Sequence, residues 1–92
     1  MLKHKVDTPA QALAYITDCN LAMVCRMAMM KSRPKHEFAR QISIAQTAID
    51  WMVGMKVDFT GTRAEEVETA GSVEKWVEQI QEQQREVSGV EG

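Results

Sequence analysis

Glycine and proline are scarce in this 92-residue sequence, at five and two copies scattered singly. That excludes collagen-like and linker-type chains and leaves no glycine-rich loop to cradle a phosphate. The two histidines, His4 and His36, stand without a ligand neighbour at helical or finger spacing, and no Cys/His cluster suggests zinc. Two cysteines form no CxxC motif. On one helix Cys19 and Cys25 sit about 240° apart around the axis, so they cannot bond to each other, and two reduced, packed thiols are expected. No GxSxG nucleophile motif is present. The formal net charge is −2 and the pI is near 5.6, which argues against a generic nucleic-acid coat or membrane-surface protein. Long apolar runs are missing too. The richest stretch, Leu21 to Met30, is interrupted by Arg26, and its helix carries Asp18 and Asn20. It is no membrane span, and no signal-peptide run precedes Pro9. A cytoplasmic protein without metal or cofactor, and not an enzyme, is the expectation.

What the chain does have is helix-forming sequence, with 45% hydrophobic and 26% charged residues. Thr8-Pro9-Ala10-Gln11 is a helix start with a capping-box pattern. Good helix formers continue to Lys31, and Ser32-Arg33-Pro34 breaks the run. A second helix is expected from Pro34 to Val53, with Gly54 as its C-terminal cap. Phe38, Ile42, Ala45, Ile49 and Met52 form a packing seam on it, and Ile44, Ala48, Trp51 and Met55 a second apolar stripe. Helices over 8–31 and 34–53, joined by about two residues, make an antiparallel hairpin. Met55 to Gly61 reads as a turn or extended connector. Thr62 to Glu65 is another capping-box pattern, and Ala70-Gly71-Ser72 marks an interruption with Ser72 capping a fresh start. A shorter acidic helix over about 72–87 completes a single all-α domain, with residues 1–7 and 89–92 as frayed tails.

A chain this short buries only roughly 60–65% of its unfolded surface, so self-association is a natural source of added stability. Leu21 to Met30 has nine apolar residues in ten, which one neighbouring helix and a short third helix can cover only in part. Leu13, Ile16, Asn20, Met23, Met27 and Met30 on the first helix, with Ile44 and Trp51 on the second, are therefore the expected protein interface. Asn20 at a seam position suits the setting of register and oligomeric state. A homodimer is the expected assembly, with a further protein partner as an extension of the same surface. The implied function is a non-enzymatic helical interaction protein, adaptor or regulatory, that self-associates through its hairpin.

Charge supports a second reading. Residues 1–57 hold eight Lys and Arg against four acids, net +4, whereas residues 58–92 hold three against nine, net −6. Lys31, Arg33, Lys35 and Arg40 cluster at the hairpin tip and form the candidate anion or nucleic-acid contact of a regulator. Glu74, Glu78, Glu82 and Glu86 recur every four residues, the pattern of a solvated stripe rather than an acid–base dyad.

Overall fold

Thr8 opens the first helix as its sequence implies. Its Oγ1 accepts from the Gln11 N–H at 3.2 Å, while the Gln11 side-chain oxygen accepts from the Thr8 N–H at 3.1 Å. Pro9 sits in the first turn, where its missing N–H costs nothing. In the computed structural model, which describes residues 6–30 and 32–91 with side chains through Arg85, four helices follow. They are α1 (Pro9–Ala28), α2 (Lys35–Gly54), α3 (Arg63–Ala70) and α4 (Val73–Glu91), with no strand among the described residues. The expected tail over 1–7 lies mostly outside the described residues, as does Gly92. α4 runs through 89–91, the residues of the expected C-terminal tail.

The all-α antiparallel hairpin of α1 and α2 is present. Its core face on α1 is Ala14, Thr17, Leu21, Val24 and Ala28, at alternating steps of three and four. Thr17 is buried without penalty because its hydroxyl donates to the Leu13 carbonyl at 2.7 Å. On α2 the seam residues Ala45, Ile49 and Met52 are buried, and Phe38 and Ile42 pack partly buried against the same core. The link between the helices is longer than expected. α1 stops at Ala28 and α2 starts at Lys35. The last carbonyls of α1 find other donors there. Arg33 donates to the carbonyls of Met27 and Met30, and the side chains of Gln81 and Gln84 donate to Ala28 and Met29 at 3.5 and 3.3 Å. The helix can therefore end without leaving its C-terminal acceptors bare. Pro34 is the N-cap of α2, just outside the helix, and its carbonyl accepts from Phe38 at 2.9 Å.

The end of α2 also departs from expectation. Gly54 stays helical, and Lys56 takes the left-handed conformation at φ 58°. The Lys56 N–H donates to Val53 at 3.2 Å and the Val57 N–H to Met52 at 2.9 Å. This is a Schellman closure with lysine in the position that glycine usually fills. In the connector, the Asp58 carboxylate accepts from the Thr60 hydroxyl and N–H at 2.7 and 3.1 Å. Those two bonds hold its carboxyl below the usual range.

α3 and α4 are two helices, as the Ala70-Gly71-Ser72 interruption implies. Gly71 turns the chain at φ 111°, and the Ser72 hydroxyl accepts from the Lys75 N–H at 3.2 Å. In the box at Thr62, Glu65 reaches the Gly61 N–H at 3.0 Å rather than that of Thr62. α4 has 19 residues, one fewer than each hairpin helix, and extends past the expected end near 87. Ala64, Val67, Val73, Trp76 and Val77 bury themselves against the hairpin.

Two side chains of the hairpin receive the starts of these later helices. Asp18, buried on α1, accepts from the Arg63 N–H at 2.8 Å and from its guanidinium at 3.0 Å. Gln46 of α2 accepts from the Val73 N–H at 2.8 Å. Each contact satisfies an N–H at a helix N-terminus that has no partner within its own helix.

Two outcomes follow for stability in urea unfolding. Asp18→Ala is expected to cost about 2 kcal/mol, and Arg63→Ala at most about 1 kcal/mol, because the Arg63 N–H survives that substitution and its side chain is partly solvated. Equal losses would show that the guanidinium, not the backbone bond, anchors α3. Lys56→Gly is expected to raise stability by roughly 0.5–1 kcal/mol by relieving the left-handed conformation.

Candidate functional site

The layer of α3 and α4 occupies one side of the hairpin, and among the described residues the other side is left uncovered. On α1 the uncovered residues include Ile16 and Met23, at 61% and 50% exposure and seven residues apart, and Met30, 42% exposed, follows just beyond the end of the helix. On α2 they include Ile44 and Trp51, at 45% and 62%, with the same spacing. A seven-residue interval is close to two helical turns, so each set forms a line along one side of its helix. Ala48 fills in between Ile44 and Trp51, half-buried. Leu13 from α1 joins Arg40, Ser43, Ile44, Thr47, Ala48 and Trp51 in lining a shallow open groove of about 470 Å³. Its floor is apolar, Ser43 and Thr47 give it a hydroxyl rim, and Arg40 supplies a cation at one end.

Most of the residues expected at the interface are therefore accessible. Ile16, Met23, Met30, Ile44 and Trp51 are exposed, and Leu13 and Asn20 are half-buried. Met27 differs: it is 9% exposed and belongs to the core. It shares the apolar segment with Met23, but it falls on the side that the chain covers for itself. The groove role of Arg40, expected instead as part of a basic tip, was missed. The spacing that carries it is visible in the sequence, since Arg40 stands four residues before Ile44 and so above it on one helix face.

Of the four basic residues expected at the tip, three are described. The Arg33 guanidinium lies 5.0 Å from the centre of the Phe38 ring and donates to the carbonyls of Met27 and Met30. Arg40 is exposed and 3.8 Å from Glu37. Lys35 is exposed, and Lys31 lies outside the described residues.

Both cysteines are free thiols, Cys25 half-buried and Cys19 exposed rather than packed. Cys19 hydrogen-bonds with Tyr15 one turn away, and that bond, followed by their charge interaction and by desolvation, raises the phenol above its ordinary range. Among the described residues no three His, Cys, Asp or Glu side chains are placed to hold a metal ion, and no helix is long and apolar enough to cross a membrane. In comparisons with protein families, curated proteins and solved structures, nothing matches the chain.

The separation of Met27 from Met23 is open to test. Met27→Glu forces a carboxylate into the core and is expected to cost roughly 3 kcal/mol, whereas Met23→Glu is expected to change stability by less than about 0.5 kcal/mol. Urea unfolding at the lowest usable protein concentration checks both. Equal losses would contradict the placement of Met23 on an uncovered surface.

Proposed function

We propose that this chain is a non-enzymatic helical interaction protein, adaptor or regulatory in role, that binds a second copy of itself through the uncovered face of the α1–α2 hairpin. The observation that carries the reading is the pair of exposed apolar lines on adjacent helices, Ile16–Met23 and Ile44–Trp51, with the exposed Met30 just past the end of the first. Isolated exposed hydrophobes are ordinary on protein surfaces; aligned ones on two neighbouring helices are not.

Area favours a second copy as the occupant. Each hairpin helix has 20 residues and is about 30 Å long, and packed neighbours lie about 10 Å apart. The face is therefore on the order of 600–800 Å² per copy, close to the ~800 Å² per partner of a standard stable interface. Two such faces in contact form a four-helix layer with the kind of packing that helix bundles use. A reducing, cytoplasmic setting suits a protein whose two cysteines are both free thiols.

Light scattering across a range of concentrations is the direct test. A mass near twice 10.4 kDa is expected for the natural chain. The double variant Ile16→Glu, Trp51→Glu is expected to run as a monomer with undiminished helical circular dichroism, since both residues are exposed. A natural chain that stays near 10.4 kDa at every concentration, or a double variant that stays dimeric, would overturn the proposal.

A further inference from the structure

We infer that Trp51 is the anchor of the pairing, and that the indole of each copy inserts into the groove between α1 and α2 of the other. This rests on the self-association proposed above and names the side chain that drives it. The receiving groove is the one lined by Leu13, Ser43, Ile44, Thr47 and Ala48.

The aromatic residues single out Trp51. Trp76 is buried, and its Nε1–H donates to Glu66 at 3.2 Å. Tyr15, Phe38 and Phe59 are half-buried. Of the five aromatic side chains Trp51 alone is exposed, at 62%, and its Nε1–H has no acceptor among the described residues. It is also the bulkiest of the exposed apolar side chains. Tryptophan is enriched among the few residues that carry most of the binding energy of an interface, where it fills a pocket on the partner.

The groove suits an indole in its chemistry as well as its size. At about 470 Å³ it has room for the two fused rings. Leu13, Ile44 and Ala48 offer an apolar floor for the ring faces. Ser43 and Thr47 offer hydroxyl acceptors at the rim for the one N–H, which an indole needs when it leaves water. Ile16 or Met23 of a second copy would cover the floor and leave those hydroxyls without a donor or water. Trp51 itself stands at one end of the groove, so the giving and receiving sites adjoin. In a two-fold pair the contact is then made twice, once in each direction. Two tryptophans burying about 150–250 Å² each would supply a large part of the ~1,600 Å² of a standard interface.

Nuclear magnetic resonance on a mixture of isotope-labelled and unlabelled natural chain tests the insertion directly. Intermolecular Overhauser contacts are expected from the Trp51 indole protons to the methyl groups of Leu13 and Ile44 in the other copy. In light scattering, Trp51→Ala is expected to raise the dissociation constant of the pair by at least about 30-fold, the range of an interface hot spot, with undiminished helical circular dichroism. A dimer whose intermolecular contacts leave out the Trp51 indole, or a smaller loss in Trp51→Ala, would overturn the anchor and leave self-association standing. A natural chain that stays near 10.4 kDa at every concentration would overturn both.

Discussion

Asp18 is a charged side chain in a small apolar core, and burying a carboxylate without partners costs several kcal/mol. The carboxylate accepts from the Arg63 N–H and from the Arg63 guanidinium, so its burial requires α3 to dock. The contact suits both sides. A helix N-terminus presents unpaired N–H groups and a partial positive charge, and a carboxylate satisfies the first and is attracted by the second. Gln46 does the same for α4 through the Val73 N–H, without the charge. The hairpin thus places the starting points of both later helices, and hydrophobic burial of Val67, Val73, Trp76 and Val77 completes what these two polar contacts position.

The same docking decides what remains outside. Because the receiving groups stand on one side of the hairpin, the second layer covers that side only. Ile44, Trp51 and Met55 of the second apolar stripe of α2 then stay exposed, although Ala45, Ile49 and Met52 beside it are buried. The tip is closed by the same layer. Gln81 and Gln84 of α4, together with Arg33, satisfy the carbonyls at the end of α1. Arg33 is thereby committed to the fold, and with its guanidinium also over Phe38 it has less to offer an external phosphate than its sequence position implies.

Much of this was legible in the sequence, for reasons that differ from element to element. The Thr8–Gln11 box, the seam on α2 and the break at Gly71-Ser72 are local or periodic signals, and they read correctly because neighbouring residues carry them. The exposed apolar lines were partly legible for the same reason: Ile16 and Met23, or Ile44 and Trp51, share a helix side by arithmetic alone. Met27 was not separable from Met23. Leu21 to Met30 is apolar nearly all round, and only the position of the second layer decides which side is buried. The partners of Asp18 and Gln46 lie 45 and 27 residues away, beyond any local pattern. The left-handed Lys56 was illegible because a glycine two residues earlier offered the better local candidate, whereas the hydrogen bonds to Val53 and Met52 fix the turn later.

Core size connects fold to function. A 92-residue chain gains stability from a limited buried surface, and here part of its apolar inventory, including Ile16, Met23, Ile44 and Trp51, is not used for that purpose. Association through the proposed face would add a term to the stability of each copy that grows with protein concentration. Folding of the four-helix unit and pairing of the hairpins would then be thermodynamically linked, even though they draw on opposite sides of the same two helices. Substitutions behind the hairpin, at Asp18 or Gln46, would act on both processes through the shape of α1 and α2. Substitutions on the open face would act on pairing directly, and on apparent stability only at concentrations where pairs form. That asymmetry would separate the proposed binding surface from the core in a protein this small: the two would be the front and back of one helical hairpin, and the docking of α3 and α4 would determine which is which.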